Sequence, residues 1–248
     1  LRTTPVTGGC INHAHRLETT TGNYFVKYNS STRFPGMFEA EAKGLKILAE
    51  TKTVRVPEII LTGDVSGFSY IVLEFLESAE QKENYWENAG IQLAQLHRST
   101  SENFGLDHDN FIGSIPQSNK QHNDWIEFFL KERILPLGGT LVSPYISKLE
   151  KVLQERIPVE KPALLHGDLW NGNIICGPQG TACLLDPAVY YGHREMDLAM
   201  TRLFSGFSKE FYKSYEATFP LAEGFEERID LYNLYPLLVH LKIFGDPY

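Results

Sequence analysis

Two acidic side chains and one amide in the second half of the chain have the types and spacing of a phosphoryl-transfer site. They lie in the segments at 166–173 (HGDLWNGN) and 186–188 (DPA). Asp168 could accept a proton from an attacking hydroxyl, while Asn173 and Asp186 could hold the metal that neutralises nucleotide phosphates. The spacing from Asp168 to Asn173 matches the protein-kinase catalytic loop, although Gly167 stands where those enzymes have arginine. The sequence therefore predicts a kinase that uses ATP and Mg²⁺.

A predicted hairpin offers a geometric reason for these residues to meet. Two short apolar strands at 174–176 and 182–185 are joined by a Gly-Pro-Gln-Gly turn. In the register that we expect, Asn173 and Asp186 are directly opposed, with Cβ atoms about 5 Å apart, so both could reach one ion. Oxygen ligands of this kind suit magnesium, with phosphates completing its shell. The same register would oppose Cys176 and Cys183, as a cross-strand pair or, the interpretation that we favour, as small apolar fillers.

The first fifty residues could supply the other half of a nucleotide cleft. Lys27 lies in an aromatic and β-branched strand, where it could be an exposed edge charge or could hold phosphates. Glu41 falls on the apolar face of a predicted helix from Met37 to Ala49. A carboxylate on that face needs a cation, so we predict a Lys27–Glu41 pair, with Glu39 as the alternative partner.

Two further segments could contact the nucleotide, and they also suggest the domain organisation. Gly8 and Gly9, followed by Cys10, could bring the backbone close to phosphates or could simply form a hairpin turn. Backbone groups of 74–76 (Glu74, Phe75 and Leu76) could read an adenine edge at a hinge, although a plain strand end is the alternative. We expect a small strand-rich lobe with one key helix at 1–76 and a larger, mainly helical lobe at 77–248.

Several other residues are candidates for contact with the acceptor or for support of the site. His166, Trp170 and His193 could touch the acceptor, and Trp170 could either stack on a sugar or wall the cleft. Asp197 precedes an apolar run, so we expect it to accept backbone N–H bonds and brace the catalytic loop. His97 is expected to be structural. The long polar region at 104–123 is typical of a functional or mobile loop.

Composition excludes several classes of protein. The chain has 248 residues, 42% of them hydrophobic and 22% charged, which is typical of a globular protein. Its formal net charge of −8 argues against nucleic-acid binding. It has no apolar run near the ~20 residues of a membrane span, and its first residues are unlike a signal peptide. Three cysteines favour a reducing, cytoplasmic location, and neither a zinc motif nor a Gly-x-Ser-x-Gly elbow occurs.

The motifs taken together resemble the fructosamine kinase family. His-Gly-Asp is shared with aminoglycoside phosphotransferases and choline kinases, whereas the Leu-Trp-x-Gly-Asn extension and the Asp-Pro-Ala ending are narrower. The resemblance runs in order along nearly the whole chain, through residues 8–11, 25–27, 37–41, 165–173, 186–188, 191–195 and 240–245. Asn171 stands where many members of the family have serine.

The resemblance implies an α+β, two-lobed, protein-kinase-like fold and ATP-dependent phosphorylation of the 3-hydroxyl of fructosamines or ribulosamines, which reverses glycation. Asp168 would be the catalytic base, and the phosphate-contacting Lys27 would be oriented by Glu41. Cys10 matches a glycine-loop cysteine that some members use in redox regulation, by pairing across a dimer. The implied partner is a small-molecule ketosamine or a glycated protein, and the protein would be a monomer or a homodimer. The alternatives are a kinase for an aminoglycoside, choline or another small alcohol, and a catalytically silent nucleotide-binding protein.

Overall fold

The amino-terminal part of the chain forms a five-stranded antiparallel sheet in the computed structural model, which describes residues 1–6, 11–204 and 206–245. The strand order is β1-β2-β3-β5-β4. Gly8, Gly9 and Cys10 lie outside the described residues. The strands of this sheet are β1 (Arg2–Pro5), β2 (His13–Thr19), β3 (Gly22–Ser30), β4 (Ile59–Val65) and β5 (Phe68–Glu74).

One helix, α1 (Met37–Glu50), accompanies this sheet and links it to the rest of the molecule. Its buried face includes Phe38, Leu45 and Leu48, as the helical spacing predicts. Gly44 lies on the same side, where a Cβ would be 3.2 Å from Cγ2 of Val189. The helix that carries Glu41 therefore packs directly against the segment that follows Asp186.

The strand β4 begins only after Pro57. It runs from Ile59 to Val65. The reason is tertiary, because the carbonyl oxygen of Arg55 accepts a bond of 2.8 Å from the N–H of Leu184. Residues before Pro57 thus pair with the hairpin near Asp186 rather than with the amino-terminal sheet.

The rest of the described chain, up to residue 245, is mainly helical and contains three two-stranded ladders. The 104–123 region contains one of these ladders and forms backbone bonds to its surroundings, including Gly105 N–H to Tyr191 O at 2.8 Å. The ladders are β6 (Asn110–Ile112) with β7 (Ile115–Gln117), β8 (Ala163–Leu165) with β11 (Tyr190–Gly192), and β9 (Ile174–Cys176) with β10 (Ala182–Leu184). The helices are α2 (Tyr85–Leu96), α3 (Trp125–Phe128), α4 (Leu135–Val142), α5 (Ile146–Arg156), α6 (Glu195–Arg202), α7 (Lys209–Thr218) and α8 (Phe225–Phe244).

Two apolar clusters hold these layers together. One joins α1 and the sheet, through Phe38 and Ile71, to α2 and α7, through Leu93 and Phe211. The other lies around Trp125 and includes residues of α3, β8 and α8. Within the described chain, no helix is both long and apolar enough to span a membrane. The α+β architecture with a sheet-rich first part and a helical second part is as predicted.

Candidate active site

The segment after β8 turns sharply at Gly167, and this turn presents Asp168. Gly167 has φ 81°, which a side-chain-bearing residue rarely adopts. A Cβ at this position would also lie 2.1 Å from the carbonyl oxygen of Ala188. The position that is arginine in protein kinases is therefore glycine here for two independent steric reasons.

Asp197 holds the turn through backbone hydrogen bonds, as the sequence predicted. Its two carboxylate oxygens accept the backbone N–H groups of His166, at 2.7 Å, and Gly167, at 2.9 Å. His97 lies 3.2 Å from Oδ2 of Asp197 through Nε2, and its Nδ1 is 2.8 Å from Oη of Tyr215. All of these side chains are buried. A buried network of this kind restricts the catalytic loop to one conformation.

Asp168 is held by Asn173 and carries an elevated proton affinity. Nδ2 of Asn173 donates to Oδ2 of Asp168 at 2.9 Å and to its carbonyl oxygen at 2.8 Å. Burial raises the pKa of the Asp168 carboxyl to about 7; the charges of Asp186 and Asp197 also raise it, while the Asn173 hydrogen bond opposes the rise. Because the charge of Asp186 raises the pKa of Asp168, the two carboxyl groups are close enough to interact electrostatically.

His166 supports this loop through both ring nitrogens. Nε2 donates to the carbonyl oxygen of Leu185 at 2.9 Å, and Nδ1 accepts from the N–H of Asp168 at 3.3 Å. Burial lowers the pKa of the His166 imidazole, which favours the neutral ring that this pattern requires. The expected acceptor contact of His166 is therefore corrected to a bracing position, because both of its nitrogens face the loop itself.

Lys27 on β3 joins the amino-terminal sheet to Asp186. Its Nζ lies 2.5 Å from Oε1 of Glu41 and 2.9 Å from Oδ1 of Asp186, and the side chain is only 4% exposed. The partner on α1 is thus Glu41 rather than Glu39. Burial alone would lower the pKa of Lys27, but the charges of Asp186 and Glu41 outweigh burial and raise it. Lys27 is therefore a permanent cation at neutral pH.

The hairpin that carries Asn173 exists, but its register differs by one residue from the prediction. Cys183 lies opposite Ile175, and the N–H of Leu185 donates to the carbonyl oxygen of Asn173 at 2.9 Å. Gln179 and Gly180 both have positive φ, and they close the hairpin with a shorter loop than expected. Asp186 is therefore not directly opposite Asn173.

The same register separates the two cysteines and leaves Asp186 beyond the end of the strand. Cys176 is opposite Ala182, so Cys176 and Cys183 are not a directly opposed pair, and both thiols are free. Asp186 has φ 53°, a left-handed conformation that is unusual for a residue other than glycine. This conformation accompanies its contact with Lys27.

Asn173 and Asp186 are the two predicted metal ligands. Within residues 1–6, 11–204 and 206–245, no group of three or more His, Cys, Asp or Glu side chains is arranged to bind a metal. Asp186 is 52% exposed, and the amide of Asn173 turns its nitrogen towards Asp168. One carboxylate and one amide oxygen fit a hard cation that takes its remaining ligands from phosphates and water.

The segment expected to read adenine, 74–76, begins at the last residue of β5. The N–H of Glu74 already donates to the carbonyl oxygen of Glu58 at 2.8 Å, and its carboxylate is bound by Arg55. The guanidinium of Arg16 lies 4.6 Å from the ring centre of Phe75. Leu76 is buried. The N–H of Glu74 is thus already bonded, to the residue just before β4.

A cavity reaches Asp168 from the side of α8, and the sequence did not reveal its walls. Its lining residues come from the 104–123 region, β11, α6 and α8, elements that share no motif. Only the folded chain brings them together. The cavity is lined by Gly167, Asp168 and Asp197 together with Ile112, Tyr190, Met196, Met200, Tyr235, Pro236, Val239 and His240.

His193 does not lie among these lining residues, although the sequence suggested that it touches the acceptor. It is only 1% exposed, and its ring stacks on that of Tyr232 at a centroid distance of 5.3 Å. Nε2 bonds with the carbonyl oxygen of Pro158 at 3.1 Å, and Nδ1 with Oη of Tyr232 at 3.0 Å. The predicted acceptor contact is corrected, because His193 is a buried side chain with both nitrogens engaged.

The fold is that of kinase-like phosphotransferases. The solved structure of a thermostable mutant of aminoglycoside phosphotransferase APH(4)-Ia aligns with a TM-score of 0.63 at 13% identity, covering 99% of this chain and 90% of that one. That likeness concerns the fold alone. The chain itself belongs to the fructosamine kinase family, whose model matches residues 1–248. It is therefore a phosphotransferase.

Individual relatives agree with this assignment. A probable ketoamine kinase of Synechocystis sp. is 42% identical, over 98% of this chain and 85% of that protein. The chloroplastic protein-ribulosamine 3-kinase of Arabidopsis thaliana is 41% identical, over 98% of this chain and 78% of its own length. The crystal structure of a putative fructosamine-3-kinase from Haemophilus somnus 129PT aligns with a TM-score of 0.90 at 31% identity, covering all of this chain and 86% of that one.

Proposed function

We propose that this protein transfers the γ-phosphate of ATP to the 3-hydroxyl of ketoamines such as fructosamines or ribulosamines. The observation that carries the proposal is the contact of Lys27 with Asp186 at 2.9 Å, beside an Asp168 that Asn173 orients. Lys27 would be the cation that contacts phosphate, and Asp168 the carboxylate that receives the acceptor hydroxyl. This is the arrangement that phosphoryl transfer requires, since that reaction depends on positioning and charge neutralisation.

Asp168 would accept a hydrogen bond from the sugar hydroxyl and take its proton as the phosphate is transferred. Lys27, oriented by Glu41, would contact the nucleotide phosphates. Asn173 and Asp186 would hold Mg²⁺, which when bound neutralises phosphate charge. Asn173 would also keep the Asp168 carboxylate aimed at the acceptor through its amide nitrogen.

Nucleotide binding would involve the two parts of the chain on either side of the cleft. Gly8, Gly9 and Cys10 would form the phosphate loop, a role that rests on the sequence. Phe75 and Leu76 would offer backbone groups to adenine, with the lobe boundary between residues 76 and 77. Glu74 would support that segment through Arg55, because its own N–H is bonded to the carbonyl oxygen of Glu58.

The acceptor is a small-molecule ketosamine or the same group on a glycated protein. Names of relatives include both ketoamine kinases and a protein-ribulosamine 3-kinase. The sugar and its ketoamine linkage are common to these substrates, so we propose the sugar-bearing ketoamine as the recognised unit. A monomer or a homodimer would serve this chemistry equally, because Lys27, Glu41, Asp168, Asn173 and Asp186 all come from one chain.

The test is ATP consumption by the purified protein with ribulosamine, fructosamine, choline and aminoglycoside acceptors. We expect turnover with the ketoamines and none above background with the others. The Asp168→Asn variant should bind ATP normally but lose about 10²-fold to 10⁴-fold in kcat, the usual contribution of a general base. Full activity of Asp168→Asn would contradict the mechanism, and turnover of aminoglycosides alone would contradict the substrate class.

A further inference from the structure

Phe204, just after α6, adopts a backbone conformation that its side chain disfavours. Its φ is 52°, within a turn in which the N–H of Gly206 donates to the carbonyl oxygen of Leu203 at 3.4 Å. Such a position normally holds glycine, asparagine or aspartate. The side chain of Phe204 is also 36% exposed, so burial offers limited compensation. Strained residues of this kind cluster at ligand-binding sites.

The ring of Phe204 lies between two other rings. Its centroid is 5.7 Å from that of Trp170, at an interplanar angle of 72°, and 4.8 Å from that of His240, at 41°. Trp170 covers the backbone of Gly172, where a Cβ would lie 2.3 Å from the indole ring. His240 is oriented by a bond of 2.7 Å between Nδ1 and the carbonyl oxygen of Pro236. We call these three rings the aromatic rim.

The aromatic rim adjoins the acceptor side of the cleft. His240 lines the same cavity as Asp168, and Trp170 follows Asp168 by two residues. Asp168 therefore places a carboxyl group on the same side of the cleft as these rings. An aromatic face next to carboxylates attracts an organic cation, because the ring quadrupole and the charges act in the same direction.

We propose that the aromatic rim, with Phe204 as its strained central member, binds the protonated secondary amine of the ketoamine. The inference rests on the proposed function, because only a ketoamine brings this amine to Asp168. In such a substrate, a single carbon atom separates the carbon that bears the amine from the carbon that bears the 3-hydroxyl. A hydroxyl directed at Asp168 therefore brings the ammonium group towards the adjacent rings. The rim selects ketoamines over neutral ketose derivatives by charge.

The test compares two acceptors that differ in charge at one atom: 1-butylamino-1-deoxyfructose and 1-O-butylfructose. The Phe204→Leu variant keeps an apolar side chain at the same strained φ but lacks a π face. We expect its KM for the amine to rise about fivefold to tenfold, or roughly 1 to 1.4 kcal/mol, with its KM for the ether and for ATP unchanged. Phe204→Tyr should retain the wild-type preference. Phe68→Leu, at an exposed phenylalanine on β5, is the matched control and should change neither KM.

A second measurement separates binding from packing. Phe204→Gly relieves the positive φ, so its melting temperature should equal or exceed that of the wild type while its preference for the amine is lost. A lower melting temperature of Phe204→Gly, together with an unchanged preference for the amine, would overturn the proposal. Equal amine-to-ether KM ratios in the wild type and in Phe204→Leu would also overturn it. Absence of turnover by the wild type on the amine would instead refute the proposed function. If the wild type turns over the amine and Phe204→Leu keeps the same preference for amine over ether, the binding role of the aromatic rim is refuted and the proposed function stands.

Discussion

Lys27 and Asp186 are separated by 159 positions in the sequence, yet their side chains lie 2.9 Å apart. This contact joins β3 of the amino-terminal sheet to the segment after the β9–β10 hairpin. Glu41 on α1 completes the contact from the other side of Lys27, at 2.5 Å. Gly44, one turn further along α1, packs against Val189, so the helix is held by apolar contact at the same place. The two halves of the cleft are thus connected by both charge and packing.

The Lys27–Glu41 pair should show strong energetic coupling. We expect Glu41→Gln to raise the KM for ATP and to lower the free energy of unfolding by about 1 to 3 kcal/mol, because a buried cation loses a charged partner. A double-mutant cycle with Lys27→Met, measured by urea unfolding, should give a coupling energy of about 1 to 3 kcal/mol.

An exposed pair on the same helix is the control for this cycle. Lys46 and Glu50 lie 3.9 Å apart, with side chains 73% and 66% exposed. Their coupling should be about 0.3 to 0.5 kcal/mol, as for other exposed helical pairs. Equal coupling energies in the two cycles would show that burial does not strengthen the Lys27–Glu41 pair.

Gly167 should tolerate no side chain. Gly167→Ala is expected to lower the free energy of unfolding by more than about 2 kcal/mol and to abolish most turnover, because it combines φ strain with a backbone clash. Gly36→Ala is a matched control, since Gly36 has φ 75° with nothing within 4 Å of a Cβ. Gly36→Ala should lower the free energy of unfolding by only about 1 to 2 kcal/mol, through φ strain, and should leave kcat unchanged. Chemical unfolding and steady-state kinetics on both variants would check this, and similar kcat values would contradict it.

Asp197 should govern the catalytic loop without touching the substrate. Asp197→Asn replaces an acceptor oxygen with an N–H₂ group that faces backbone or histidine donors, so we expect a loss of about 2 to 3 kcal/mol in unfolding free energy. Turnover should fall, with little change in the KM for ATP. Asp64→Asn, at an exposed aspartate on β4, should change stability by less than about 0.5 kcal/mol. Unaltered kcat in Asp197→Asn would show that the loop holds its conformation without this brace.

His193 should make stability depend on pH. Burial lowers the pKa of its imidazole in the folded chain, although the charges of Glu160 and Glu195 act in the opposite direction. The unfolded chain therefore takes up the proton first, and stability is present above the ordinary histidine pKa of about 6.5 and is lost as pH falls below it. His193→Gln keeps a donor towards Pro158 and should reduce the fall in urea midpoint between about pH 7.5 and pH 5.5. An unchanged fall would assign that pH dependence to other groups, such as His166.

Local patterns were sufficient for several features of the site. The Asp168-to-Asn173 spacing, the β9–β10 hairpin and the inward position of Glu41 on α1 all depend on residues close in sequence. Their alternation or helical period determines which side chains share a face. The bracing position of Asp197 was also predictable, because a carboxylate preceding an apolar run must find donors when it is buried.

Longer-range features required the tertiary structure. The hairpin register depends on two left-handed residues in its loop, and a shift of one residue changes which side chain opposes Asn173. His193 has an ordinary polar context in the sequence, and distant segments bury it, with Tyr232 of α8 and Trp125 of α3 both close to its ring. The aromatic rim assembles Trp170, Phe204 and His240 from three separate segments. By itself, the sequence determined which groups could do the chemistry and on which local element each lies. The tertiary structure decided which of them meet, because contacts between distant segments follow from the packing of whole elements rather than from local periodicity.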